Sequence, residues 1–443
     1  MIFKQVTGIL SITGMLLAVP AQAEDLVQVF RMALDSDPDY RAAAATRDAA
    51  YVGKDLSKAN FYPGVNLQYR NSKTDTGSYD TSNGPEPARS SDSSGYSLTL
   101  SQSIFNRRNS VLEDQADIDA LKADNQYAEA KQKLILKVAQ RYFDVVSAMD
   151  NVAFSEAEKK AVARQLEQTK QRFDVGLVAI TDVHEAQAQY DQSVAQGIMA
   201  ETRLASARES LRALTGQYNQ QLARLSRQAP LLNPSPDDID TWTSMAMKQN
   251  QEIIAAQYNI DRQKESLALA RADFYPTLDL NLSHSVSDDV HYNQGVESTT
   301  PDSTVISLSV NYNIYNGGYA SANTKKAQLD LTAAKERLEA ARRNTQNTVR
   351  NAYLNVIANI SRVQALNQAV VSSESALKAT EAGFEVGTRT TVDVLQSRRQ
   401  LFSAKNEHTN ARYDYVLSML VLKQSAGSLG EADLAELNRW LDQ

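Results

Sequence analysis

The spacing of glycines and prolines constrains this chain more than any other feature. Asn106–Val175 contains neither over 70 residues, and Tyr319–Ala382 contains neither over 64. Each run would reach roughly 100 Å as a continuous helix. Leu134, Val138, Tyr142, Val145, Met149 and Val152 step by fours and threes along the first run, as do Val349, Tyr353, Val356, Ile360 and Val363 along the second. That is helical periodicity. Helices this long, with Ala, Gln and charges on their other faces, are expected to pack as coiled coils. Two shorter helices are expected at about 182–215 and 392–426, with Gly216 and Gly427 as C-terminal caps.

These matches describe one internal duplication. Tyr142/Tyr353, Phe173/Phe384, Val175/Val386, Gly176/Gly387, Asp182/Asp393 and Gly216/Gly427 all lie 211 positions apart. Phe61-Tyr62-Pro63 recurs as Phe274-Tyr275-Pro276, and Ile104-Phe105-Asn106 as Ile314-Tyr315-Asn316. A period this long, present twice, describes a duplicated unit rather than a solenoid. The expected organisation is a first repeat over 24–230 and a second over 231–443, with Pro230–Pro236 as the linker. The long helices take about 106–175 and 316–383.

Each copy also carries two alternating segments ahead of its long helix. Val65, Leu67 and Tyr69 alternate with Asn66, Gln68 and Arg70, and Tyr96, Leu98, Leu100 and Ile104 with serines and Thr99. The second copy repeats this at Leu278, Leu280 and Leu282, and at Ile306, Leu308, Val310, Tyr312 and Ile314. Period two predicts strands with one apolar and one polar face, at about 64–73, 95–105, 277–286 and 304–315. The Ser-, Thr-, Asp- and Gly-rich stretches 71–95 and 287–303 read as exposed loops. Strands of about ten residues suit a membrane barrel, although a soluble sheet packed on one face would read alike.

The N-terminus favours the membrane. Lys4 precedes the mostly apolar Ile9–Val19, and Ala21-Gln22-Ala23 supplies small residues before Glu24. This is the layout of a secretory signal peptide over 1–23. No segment approaches the ~20 apolar residues of a membrane helix, so any span must be β. Four strands cannot close a barrel, and an open sheet edge cannot sit in lipid. Several chains must therefore each contribute four strands. Since each long helix follows its strand almost directly, the barrel should run on into a tube of paired helices.

Composition removes the main competing classes. A formal charge of −7, from 53 acidic and 46 basic side chains, does not suit a nucleic-acid binder. The absence of cysteine excludes disulfides, thiolate metal sites and a cysteine nucleophile. His184, His284, His291 and His408 are scattered, with no metal-spaced pair on a helix. There is no phosphate loop or nucleophile elbow. No enzyme, metal or cofactor is expected.

The longest distinctive stretches are QTKQRFDVGLVAITDVHEAQAQYD (168–191) and EAGFEVGTRTTVDVL (381–395). On these stretches the chain resembles the TolC family of outer-membrane efflux and type I secretion ducts. The resemblance covers nearly all of 24–441. It implies an α+β membrane protein in which three chains share a twelve-strand β-barrel and a coiled-coil α-barrel. The barrel would sit in the outer membrane of a Gram-negative cell, with the helices in the periplasm. Implied partners are two further copies of the chain, outer-membrane lipid, a periplasmic adaptor, and an inner-membrane transporter of RND or ABC type.

Both stretches join a long helix to a short one, at the end farthest from the strands. Leu177-Val178-Ala179-Ile180 in the first copy is apolar, whereas Thr388-Arg389-Thr390-Thr391 in the second is polar and cationic. Asp182 and Asp393 are shared. Asp182-x-x-Glu185 fits a capping box, and Arg389 would otherwise read as a solvated surface arginine. By the resemblance, Asp182 and Arg389 belong to a constriction network holding the duct entrance closed, with Gln165 and Glu381 beside it. Phe384 stands where the family has a tyrosine. Asp393 matches one entrance acid, but Gln396 replaces a second. The Val175-Gly176 and Val386-Gly387 turns match those that receive the adaptor. A trimeric adhesin or autotransporter would also pool four strands per chain, but should place them consecutively at the C-terminus.

Overall fold

The computed structural model describes residues 24–442 other than 83, 87, 219–220 and 292–296. The leader expected at 1–23 lies outside them. In chain order, α1 (Leu26–Ser36) and α2 (Pro38–Ala59) precede β1 (Gly64–Thr76), β2 (Tyr79–Thr81), β3 (Gly84–Glu86) and β4 (Arg89–Phe105). The long α3 (Arg107–Asp174) and α4 (Ile180–Thr215) follow. Then come α5 (Ile239–Gln249), α6 (Gln251–Ala272), β5 (Thr277–His291), β6 (Glu297–Thr299) and β7 (Asp302–Asn311). The chain finishes with α7 (Tyr319–Glu385), α8 (Thr391–Ser425) and α9 (Glu431–Asn438). Among the described residues, no helix is long and apolar enough to cross a membrane.

The 68-residue α3 is about 100 Å long. Near the sheet it pairs with α2 and α6, and toward the other end with α4; α7 likewise pairs with α6 and then α8. The main core lies partway along these helices. Leu134, Ile135, Val138, Tyr142 and Val145 of α3 meet Val349, Val356 and Ile360 of α7 and Tyr415 of α8 in one buried cluster, which also takes in α1, Trp242 of α5 and α9. Tyr142 Oη donates to the Ala223 carbonyl at 2.7 Å, and Tyr413 Oη to Asp150 at 2.5 Å. Burial drives both phenol pKa values up. In the segment read as a linker between repeats, the Leu232 N–H donates to Tyr415 Oη at 2.8 Å, and that hydroxyl lies 2.9 Å from the Leu232 carbonyl. Just upstream of Pro230, Leu222, Ala223 and Leu225 are buried, and short β-bridges tie Leu222 to Glu24 and Leu225 to Leu441.

The long strands form one antiparallel sheet in the order β1-β4-β5-β7, with β6 also pairing the far end of β5. Its register aligns the alternation seen in the sequence. Val65, Leu100, Leu282 and Ile306 stand in one row, and Leu280 with Leu308 in another. On the opposite face Gln68, Ser97, Ser285 and Ser303 make a row, beside Asn66, Thr99 and Ser283. Val305 is the apolar exception there. Neither face is covered by the chain: on the apolar face Leu67 is 70% exposed and Ile306 73%, and on the polar face Asn66, Gln68 and Ser303 are exposed. A belt of exposed aromatics, including Tyr62, Tyr275, Tyr312 and Tyr315, marks the junction of sheet and helices. Such belts sit at membrane interfaces.

Several boundaries differ from expectation. The strands expected at 64–73, 95–105 and 277–286 extend to Thr76, back to Arg89 and on to His291, so ladder occupies much of the stretches read as loops. Serine and threonine are compatible with a two-faced polar hairpin, and the sequence pattern alone did not separate that from a loop. The strand expected at 304–315 runs Asp302–Asn311, and the helix expected at 316–383 is Tyr319–Glu385. Gly317 and Gly318, both with positive φ, break the direct passage seen at Phe105-Asn106-Arg107. Ile104 is the extra residue of a β-bulge between Ser103 and Phe105. Helices α1, α2, α5 and α6 were not anticipated.

Ile306→Arg should cost about 2–4 kcal/mol of folded stability in lipid vesicles, as a charge on a lipid-facing strand does. Ser307→Arg, on the other face, should stay within about 0.5 kcal/mol. Denaturant unfolding of vesicle-embedded protein measures both, and equal costs would mean that the faces are not distinguished by lipid.

Candidate functional site: the paired helical tips

The two turns farthest from the sheet share one backbone. After α3, Gly176 has φ +77°, its N–H donates to the Phe173 carbonyl, and the Leu177 N–H donates to the Arg172 carbonyl at 2.8 Å. After α7, Gly387 has φ +77°, its N–H donates to the Phe384 carbonyl, and the Thr388 N–H donates to the Gly383 carbonyl at 2.8 Å. Only glycine takes that φ without strain, so it lets each helix reverse at once. Val175 and Val386 are largely exposed beside them.

Both aspartates serve the start of the following helix, one turn inside it. Asp393 is the third residue after its cap, Thr390. It accepts from the Thr390 N–H at 2.9 Å and hydroxyl at 3.0 Å, while its own N–H donates back to that hydroxyl. The Thr390 amide and hydroxyl hold the Asp393 carboxyl below its usual pKa. Asp182 accepts from the Ala179 N–H at 3.2 Å. The expected Asp182-x-x-Glu185 box is therefore corrected: α4 begins at Ile180 with Ala179 as cap, and Asp182 fills the reciprocal position. Alanine has no oxygen to accept the return bond, so only half of the box exists.

The hairpins are joined side by side. Leu395 of α8 packs with Val162, Leu166 and Ala186 of the first hairpin. A polar cleft of about 550 Å³ lies beside this contact, lined by Gln165, Arg172, Glu381, Phe384 and Arg398 among others. Arg398 donates to Glu381 at 2.6 Å and to the Ala161 carbonyl at 3.1 Å, bridging α8, α7 and α3. The Arg172 guanidinium lies 4.3 Å over the Phe384 ring. Gln165 is buried, and its amide nitrogen has no hydrogen-bond partner. Gln165, Glu381 and Phe384 thus share one cleft. Arg389 and Asp182 do not meet: among the described residues Arg389 is exposed and forms no ion pair. Gln396 is exposed one turn beyond Asp393.

Sequence reading missed Arg172 and Arg398. Arg172 carried a usable signal, because its position 211 residues on is Gly383, a mismatch between copies as sharp as Val178 against Arg389. Arg398 has no such mark. His284 places Nδ1 3.0 Å from the Thr304 hydroxyl on the sheet; the side chain of His291 lies outside the described residues. The described residues contain no cluster able to hold a metal.

The model of the family described as outer membrane efflux protein matches residues 29–217 and 242–428. The outer membrane protein TolC of Vibrio cholerae serotype O1 is 39% identical, over 95% of this chain and 94% of that protein. The alkaline protease secretion protein AprF of Pseudomonas aeruginosa is 28% identical, over 95% and 88%. Among solved structures, the Campylobacter jejuni CmeC outer membrane channel superimposes with a TM-score of 0.75 at 16% identity, covering 95% of this chain and 90% of that one.

The Arg172–Phe384 contact should contribute about 1 kcal/mol at this partly exposed site. Phe384→Leu keeps apolar volume without the ring face, and should raise amide exchange at the α7–α8 tip about fivefold. Phe384→Tyr should leave it unchanged. Equal exchange in the two variants would remove the ring face from the account.

Proposed function

The chain belongs to the outer membrane efflux protein family, and from that premise we propose how its geometry works as a duct. It sits in the outer membrane as an exit duct for drug efflux and type I secretion. The observation that carries the mechanism is the uncovered sheet, apolar on one face, polar on the other, with β1 and β7 unpaired on their outer sides.

Three copies close into a twelve-strand barrel, with β1 of one chain pairing β7 of the next. The apolar rows meet lipid, and the Ser/Thr/Asn/Gln rows line water. The helices continue the wall about 100 Å into the periplasm. The two halves of each chain, 24–230 and 231–443, supply equivalent staves. No reaction is catalysed. A periplasmic adaptor docks on the Val175-Gly176 and Val386-Gly387 turns, whose glycines allow close approach, and links the duct to an RND- or ABC-type transporter. Cargo choice rests with those partners, because a wide aqueous bore contacts its contents little.

The tips form the gate. Arg389 forms no ion pair among the described residues, and in the trimer we assign its counter-charge to Asp182 of an adjacent copy. An exposed ion pair is worth about 0.2–1 kcal/mol. Three symmetric pairs total roughly 1–3 kcal/mol, the size of an ordinary coupling free energy, so adaptor docking alone can open the gate. Within each chain, the Arg398 bond to the Ala161 carbonyl and the Arg172–Phe384 contact keep the two hairpins together, the latter in place of a tyrosine hydroxyl, while Arg398–Glu381 ties α8 to α7. Asp393 makes a ring of three carboxylates at the entrance. Since Gln396 adds no second ring, multivalent cations are trapped weakly.

Arg389→Ser should enlarge the small, cation-selective single-channel current in a planar bilayer. Gln396→Asp should deepen block by multivalent cations. A current unchanged by the first places the latch elsewhere, and block unchanged by the second removes the acid count as its cause.

A further inference from the structure

Gly383 lies within α7, one residue before Phe384, in ordinary helical backbone. Its position in the first copy is Arg172, whose carbonyl accepts the same turn hydrogen bond at the same 2.8 Å. The backbone therefore does not require glycine there, and glycine is less favourable than alanine in a helix interior. What the missing side chain provides is space. A β-carbon at 383 would stand 2.8 Å from Arg389 Cγ, 3.2 Å from Thr388 Oγ1 and 3.6 Å from Arg389 Cβ. The turn itself is pinned, because the Gly383 carbonyl accepts from the Thr388 N–H at 2.8 Å, the Arg389 N–H at 3.2 Å and the Thr388 hydroxyl at 3.0 Å. With the backbone fixed, the Arg389 stem is what must move.

We propose that Gly383 is a positioning residue for Arg389: its bare α-carbon is the seat on which the arginine stem lies, and this sets the direction in which the guanidinium leaves the tip. The role rests on Arg389 acting as the gate latch. It explains the paired difference between the copies. The copy with arginine at the turn, Arg389, has glycine six residues back. The copy with Val178 at the turn has Arg172 there, freed to cover Phe384 instead.

Gly383→Ala separates stability from gating. Helix propensity favours alanine, so thermal melting of the assembled protein should hold or rise. The gate should nevertheless loosen. The experiment compares single-channel current in planar bilayers for the wild type, Arg389→Ser, Gly383→Ala, the double variant and Gly197→Ala. Gly197 is a helical glycine in α4 with open space where a β-carbon would stand. Gly383→Ala should raise the current most of the way to the Arg389→Ser level. The double variant should go no further than Arg389→Ser alone, and Gly197→Ala should match the wild type. Wild-type current in Gly383→Ala beside an enlarged one in Arg389→Ser would overturn the positioning role, as would additive opening in the double variant. An unchanged Arg389→Ser current would overturn the latch itself, and the positioning role with it.

Discussion

Backbone hydrogen bonding governs this protein. Its sheet has two outer edges, on β1 and β7, whose outward amides and carbonyls have no ladder partner among the described residues. In water such edges are an aggregation hazard. In lipid they are untenable, because each unsatisfied group costs several kcal/mol. Closure with further copies removes the edges, and once it occurs the remaining architecture follows. In the proposed trimer the apolar rows face outward into lipid, the polar rows enclose a bore, and the helices that flank each hairpin become staves of a longer tube.

In the proposed duct the long helices face a different requirement, to be stiff along their length yet able to change at their end. The main buried cluster lies partway along α3 and α7, where α1, α5, α9 and the 221–225 strap bind the long helices together. Toward the tips the contacts thin to a small apolar cluster around Leu395 and a few charged bridges such as Arg398–Glu381. A tip held by interactions of about a kilocalorie each can be moved by a docking partner without disturbing the core. The two turns divide the labour by side chain alone, since their glycines share φ +77° and their closing hydrogen bonds correspond.

Much of this is legible in the amino-acid sequence, for reasons that particular residues make plain. The glycine-free runs and the stripe through Tyr142 locate the long helices to within a few residues, because helical periodicity accumulates over many turns. The alternation at Val65-Leu67-Tyr69 marks a strand, because period two survives even in a short segment. Helices α1, α2, α5 and α6 are less visible: they are shorter, and the Ala- and charge-rich α2 lacks a clear apolar stripe. The strand ends in 71–95 were hidden because serine-rich hairpin and serine-rich loop have the same composition. At the tips, comparison of the two copies isolates Arg389, but the contacts made there, Gly383 beneath Arg389 and Arg398 on Glu381 in the neighbouring cleft, depend on packing that no local pattern encodes.

Closure between copies of the chain is the central claim, and the absence of cysteine permits a clean test of it. Leu67→Cys on β1 would be combined in turn with Thr304→Cys, Ile306→Cys, Leu308→Cys and Val310→Cys on β7, and the membrane-embedded protein oxidised. Directly opposed strand residues bring their β-carbons to about 4.5–5.5 Å, close enough for a disulfide in the right register. At least one pair should yield a covalent ladder of dimer and trimer that stops at three chains. Folded protein that forms no intermolecular disulfide at any register, or a ladder that runs past three, would contradict closure of the sheet by three copies.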